Sequence, residues 1–116
     1  MTQEVTQKAT KVVIIYWRDI PAQVNAKEGR KRAKKLLSTR FQEAIDRAAM
    51  RAKKTNADAY LDDWRRETQS KSGELNALVE ETAQQLEQDY DDERLDKIIR
   101  NKGVEKNIEK DTGATG

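Results

Sequence analysis

Apolar residues are sparse along this chain, and their spacing divides it into segments of different period. From Lys11 to Trp17 the run Val12-Val13-Ile14-Ile15-Tyr16-Trp17 is β-branched and aromatic, and it is too short for a helix. It predicts a strand. Its apolar positions are consecutive rather than alternating, so either both faces are covered or one face meets a partner. Pro21, the single proline, lacks the N–H a sheet ladder needs and marks a turn, a bulge or an edge position. Val24 and Ala26 then resume an extended course, as a hairpin or as one bent strand.

A helical period follows. Ala33, Leu36, Leu37, Phe41, Ala44, Ile45, Ala48 and Ala52 keep the three-and-four spacing of one buried stripe. This predicts a long amphipathic helix from Gly29, over about 30–53. Thr55 to Asp58 breaks it. In the next stretch, AYLDDWRRET, two readings compete. Ala57, Tyr60, Leu61 and Trp64 fit a helix, and Thr55 with Asp58 resembles a capping pair. A lone first strand would leave N–H and C=O groups unpaired, which favours a returning strand over 57–66. Thr68 to Gly73 reads as a linker. Leu75, Leu78, Val79, Ala83 and Leu86 predict a second helix to about Asp89. After it comes a break or a short further helix, with Leu95, Ile98 and Ile99 facing the domain. Gly103 is the expected stop.

The resulting expectation is an α+β fold: a small antiparallel sheet of two to three strands, covered by a long amphipathic helix, with an acidic C-terminal helix. The 116 residues suffice for one small domain. The divisions read as a flexible tail over 1–10, an α+β domain over 11–67, a linker and helical segment over 68–103, and a disordered tail over 104–116.

Charge changes this picture more than composition does. Lys27, Arg30, Lys31, Arg32, Lys34, Lys35 and Arg40 stand against Glu28 alone, whereas Glu74 to Asp96 holds nine acids against Arg94. The net charge of +2 therefore hides a strong polarity along the chain. The basic run has three readings: a solvated face packing on the acidic helix, a nucleic-acid surface, or a surface for an acidic protein. The first is preferred, although cations in a first helical turn oppose the helix dipole, which hints at a use.

The chain has no cysteine and no histidine, which removes disulfides, thiol chemistry and imidazole catalysis. There is no phosphate-binding glycine loop, and the acids at Asp62-Asp63 and over 89–96 sit in polar surroundings rather than in a pocket that raises a carboxyl pKa. The expectation is a protein that is not an enzyme and carries no cofactor and no metal. With no apolar run near the ~18 residues that span a bilayer, a cytoplasmic location away from membranes is expected. Two blocks echo each other, Tyr16-Trp17-Arg18 and Tyr60 with Trp64-Arg65-Arg66. Aromatic and guanidinium groups side by side suit core closure, a protein partner or an anion. The candidate partner- or anion-binding residues are Tyr16, Trp17, Arg18, Asp19, Arg30, Arg32, Trp64 and Arg65.

The segments YWRDIPAQV, RFQEAIDRAA and AYLDDWR together resemble the small bacterial domain family called virulence factor, over about 13–67. Asn25 departs from that pattern where an apolar residue is usual. Lys53 to Asn56 replaces a shorter glycine-containing turn, so both places bear on the strand and turn geometry. The resemblance implies a domain that, in larger conserved virulence factors, accompanies helical-repeat and iron–sulfur-scaffold-like modules. It also implies gene neighbourhoods of corrinoid and folate methyl transfer, and it supplies no catalytic residues. The functional expectation is a non-catalytic accessory domain binding a protein partner, linked to cofactor or methyl-transfer machinery. The alternative is an RNA- or single-stranded-DNA-binding protein using the basic helix and the Tyr-Trp-Arg motifs.

Overall fold

The computed structural model describes residues 10–54 and 56–105. Of the tails expected over 1–10 and 104–116, all but Thr10, Val104 and Glu105 lie outside the described residues. In chain order the elements are β1 (Thr10–Trp17), β2 (Ile20–Glu28), β3 (Lys31–Leu36), α1 (Thr39–Arg51), α2 (Ala57–Leu61), β4 (Trp64–Lys71), α3 (Leu75–Asp89) and α4 (Asp92–Arg100). The strands form one four-stranded sheet in the order β3-β2-β1-β4, antiparallel throughout.

β1 and β2 form a hairpin, one of the two courses left open by the sequence. Ile15 pairs with Gln23 and Tyr16 with Pro21, so Ala22 is an extra residue. The proline thus sits at a bulge, where its missing N–H breaks no regular ladder. Val12, Ile14, Val24 and Ala26 are buried on one sheet face, beneath Phe41, Ala44, Ile45, Leu78, Val79 and Ala83. α3 lies over β2 and β3, and α1 packs against β2 and α4. Leu95, Ile98 and Ile99 close the core from α4, as the sequence spacing implies.

The class is α+β as expected, but the sheet has four strands rather than two or three. The largest correction is at the basic run. Residues 31–36 form edge strand β3 instead of the first turns of a helix, and α1 begins only after Ser38. Lys, Arg, Ala and Leu favour helices, but β2 needs an edge partner, and Gly29 at φ 61 lets Glu28 and Lys31 pair across a two-residue turn. The 57–66 segment divides: Asn56 caps the five-residue α2, accepting from the Ala59 N–H at 2.9 Å, and a strand starts at Trp64. Residues 68–71, expected as linker, complete β4 against β1. At the margins, Thr10 is a buried member of β1, and Val104 and Glu105 pack on the domain rather than starting a tail.

An ionic knot fixes α1 to α3. The Glu87 carboxylate accepts from the Ser38 backbone N–H at 2.6 Å and from its hydroxyl at 2.8 Å. Arg40 donates to the Glu87 and Tyr90 carbonyls at 2.7 and 2.6 Å, so a cation sits on the last turn of α3, where the helix dipole favours it. Burial pushes the Glu87 carboxyl up, but the Ser38 donors and Arg40 outweigh it and hold the group below the usual carboxylate range.

Candidate functional site

The fold gathers Tyr16, Trp17, Arg18, Asp19, Trp64 and Arg65 at one end of the sheet, where the β1–β2 turn meets the start of β4. Arg30 and Arg32 lie at the other end of the strands, roughly 20 Å away at ~3.4 Å per residue. The expected group is therefore two separate places.

At the gathered end, the polar groups are engaged within the chain. Arg18, left-handed at φ 55, donates its backbone N–H to the Asp63 carbonyl at 2.9 Å and its Nη1 to the Lys102 carbonyl at 2.8 Å. Its Nε lies 3.2 Å from the Asp63 carboxylate. Arg65 donates to the Arg18 carbonyl at 2.6 Å, to Asp19 at 3.0 Å and to Glu67 at 2.5 Å, while its guanidinium lies over the Tyr16 ring at 4.3 Å. Burial alone would lower the Arg65 pKa, but the Glu67 and Asp19 hydrogen bonds prevail and raise it. The second Asp19 oxygen accepts from the Glu105 N–H at 2.7 Å, and Glu105 in turn pairs with Arg94 at 2.8 Å. Trp17 is fully buried, with Nε1 donating to the Tyr60 carbonyl at 2.8 Å. Tyr60 stacks on Trp17 and meets the Trp64 ring edge-on. The block acts as a clasp joining the first hairpin, β4 and the segment after α4.

Tyr16 and Tyr90 are buried beside the clasp, facing a groove of about 410 Å³ between β4 and α3. Burial raises both phenol pKa values, helped at Tyr16 by Glu67 and at Tyr90 by the neighbouring Tyr16. In the unfolded chain both phenols ionise near ~10, below their folded values. Their contribution to stability is therefore complete below about pH 10 and is lost as pH rises towards the folded values. Urea unfolding between about pH 8 and about pH 11 should show falling stability, and the Tyr16→Phe/Tyr90→Phe pair should flatten that fall. An unchanged slope in the double variant would remove the phenols as its cause.

The other sheet face has a different character. The registers align three rows across it: Ser70–Lys11–Lys27–Arg32, then Thr68–Val13–Asn25–Lys34, then Arg66–Ile15–Gln23–Leu36. Lys11, Lys27, Arg32, Lys34 and Arg66 are exposed, Val13 and Ile15 half-buried, and Leu36 is 63% exposed. Lys11, Val13, Asn25, Lys27, Arg32, Lys34 and Arg66 line a shallow basin of about 360 Å³. Among the described residues, none of these five cations forms an ion pair. Of the candidate residues, the three rows hold only Arg32; the next row on this side is Trp64–Trp17–Ile20, where Tyr60 packs on both tryptophans. The period-two signal for this face was present in Lys11, Val13 and Ile15, but Lys27 and Lys34 join it only once 31–36 is a strand.

A sequence model described as "Virulence factor" matches residues 15–99. The chain belongs to the virulence factor family. Its match runs through β4, α3 and most of α4, well beyond the segments whose motifs carry the resemblance, so the family's domain includes the acidic helical layer. No curated protein matches the chain. No solved structure matches it either. Among the described residues no helix is long and apolar enough to cross a membrane, and no group of three or more acidic side chains is placed to hold a metal ion.

Proposed function

We propose that this virulence factor domain is a non-catalytic accessory domain that binds a protein partner on the uncovered face of its sheet. The supporting observation is that the long helices cover only one face, leaving Val13, Ile15 and Leu36 on the other beside the amides of Gln23 and Asn25. Consecutive apolar residues on β1 then have distinct duties: Val12 and Ile14 fill the core, and Val13 and Ile15 await a partner. The Tyr-Trp-Arg clasp, with its donors satisfied internally, serves as the frame at one end of this face. Components of cofactor or methyl-transfer machinery are the first partners to try, following the family resemblance.

A photo-crosslinking amino acid placed at Asn25, in the middle of the face, tests the proposal in extract of the native host. Discrete protein adducts should form from that position and not from Arg47 on the exposed side of α1. Adducts from Arg47 alone, or none from Asn25, would remove the face as the docking surface.

A further inference from the structure

We infer that the occupant of this face is an acidic polypeptide segment carrying apolar side chains; this rests on the docking face just proposed and specifies its partner chemistry. Lys11, Lys27 and Arg32 stand directly opposite one another on three adjacent strands. With strands about 4.8 Å apart, three positive charges lie within roughly 10 Å in one row. Like charges directly opposite in a sheet are destabilising. The register places no acid on this face: Glu67 is on the opposite side, bonded to Arg65, and Glu28 pairs with Lys31 one position beyond the row. Lys34 extends the row along β3 by one repeat of about 6.8 Å.

The cations thus form an L around Val13 and Asn25, with Ile15 behind. Carboxylates laid along the L neutralise it, while apolar side chains from the same segment cover Val13 and Ile15. A single-stranded nucleic acid fits less well. Its bases need exposed aromatic faces to stack on, and none stands in the three rows; in the row beyond them on this side, Trp17 is buried and the half-buried Trp64 is engaged edge-on by Tyr60. Charge complementarity also points at this chain's own acidic layer, where Asp92 and Glu93 are exposed, so a second copy is the competing occupant.

Three probes separate these cases: a soluble mixed Glu/Leu peptide, an all-Glu peptide of equal length, and oligo-dT, each titrated against the full chain at about 50 and about 200 mM salt. The Glu/Leu peptide should bind best and retain binding at the higher salt. Lys27→Glu/Arg32→Glu/Lys34→Glu should weaken it by at least about tenfold, and the neutral Gln triple by less. Ile15→Ser should bring the Glu/Leu peptide down to the all-Glu affinity, while Arg47→Glu/Arg51→Glu on α1 should change nothing. Tighter binding of oligo-dT would assign the face to nucleic acid and overturn the inference. So would low-salt self-association abolished by the same triple, or peptide binding indifferent to it. Adducts from position 25 without binding of either peptide would sink the acidic chemistry alone and leave the docking face standing.

Discussion

Trp17→Ala should destabilise the domain by about 3–5 kcal/mol, the range for truncating a large buried aromatic. Trp17 has no exposed surface and ends the strand on which every other strand depends, directly or through β2. Its ring stacks on Tyr60 at 5.9 Å and lies under the Arg18 guanidinium at 5.2 Å, so truncation opens a cavity beneath the clasp. It also leaves the Tyr60 carbonyl without its donor at 2.8 Å. In a domain of this size, total stability is on the order of 5–15 kcal/mol, so the loss takes a large share of it. Trp17→Phe keeps an aromatic ring, smaller than the indole, and removes the donor, for an intermediate cost nearer ~1–3 kcal/mol. Urea titration with an unchanged m-value measures both. A Trp17→Ala loss below about 1 kcal/mol would mean that the clasp does not close this end of the core.

The parts of the fold legible in the sequence are those whose side chains are buried with a clear period. The β1 strand, the C-terminal part of α1, α3 and the Leu95–Ile98–Ile99 face of α4 all follow from apolar spacing. Two elements were hidden for physical reasons. Every residue of β4 after Arg65 is exposed, so it carries no apolar signal; its strand state comes from pairing with β1 rather than from its own composition. β3 carries a misleading signal, because Ala33 and Leu36 fit a helical stripe that Leu37 and Phe41 continue. Leu36 is in fact exposed, and Leu37 starts the buried run, its N–H donating to the Ala22 carbonyl at 3.1 Å. The change from strand to helix at Ser38 is fixed by Glu87, distant in sequence, and leaves no local trace beyond a possible cap residue. The same cause hid the cationic face. Charges at 11, 27, 32, 34 and 66 meet only through strand register, which is a long-range property. The Arg18 and Arg65 blocks were correctly singled out as related, because register pairs Trp17 with Trp64 and Tyr16 with Arg65.

Two adjacent left-handed residues after α4 should respond in opposite directions to substitution. α4 ends with the Lys102 N–H on the Ile99 carbonyl at 2.9 Å and the Gly103 N–H on the Ile98 carbonyl at 2.8 Å, a Schellman pattern. Its left-handed position, at φ 62, is occupied by Lys102. A glycine there removes a conformational cost and loses no hydrogen bond, since Arg18 reaches only the Lys102 backbone carbonyl. Lys102→Gly should therefore be neutral or stabilising by up to about 1 kcal/mol. Gly103 is different. Its φ is 90, and a Cβ there would stand 2.9 Å from Cζ3 of Trp17 and 3.2 Å from Cδ of Arg18. The Arg18 side chain has room to shift, but the Trp17 ring is fully buried against Tyr60. Moving the backbone instead disturbs the Gly103 carbonyl that accepts the Asp19 N–H at 2.9 Å, and with it the turn that begins β2. Gly103→Ala thus combines left-handed strain with overpacking, for an expected loss of about 2–4 kcal/mol. Denaturant titration of the two variants side by side supplies the check. Equal and small effects would show that the segment after α4 is not seated on Trp17; a large loss at 103 with none at 102 places the close approach, rather than the helix cap, in control of this end of the domain.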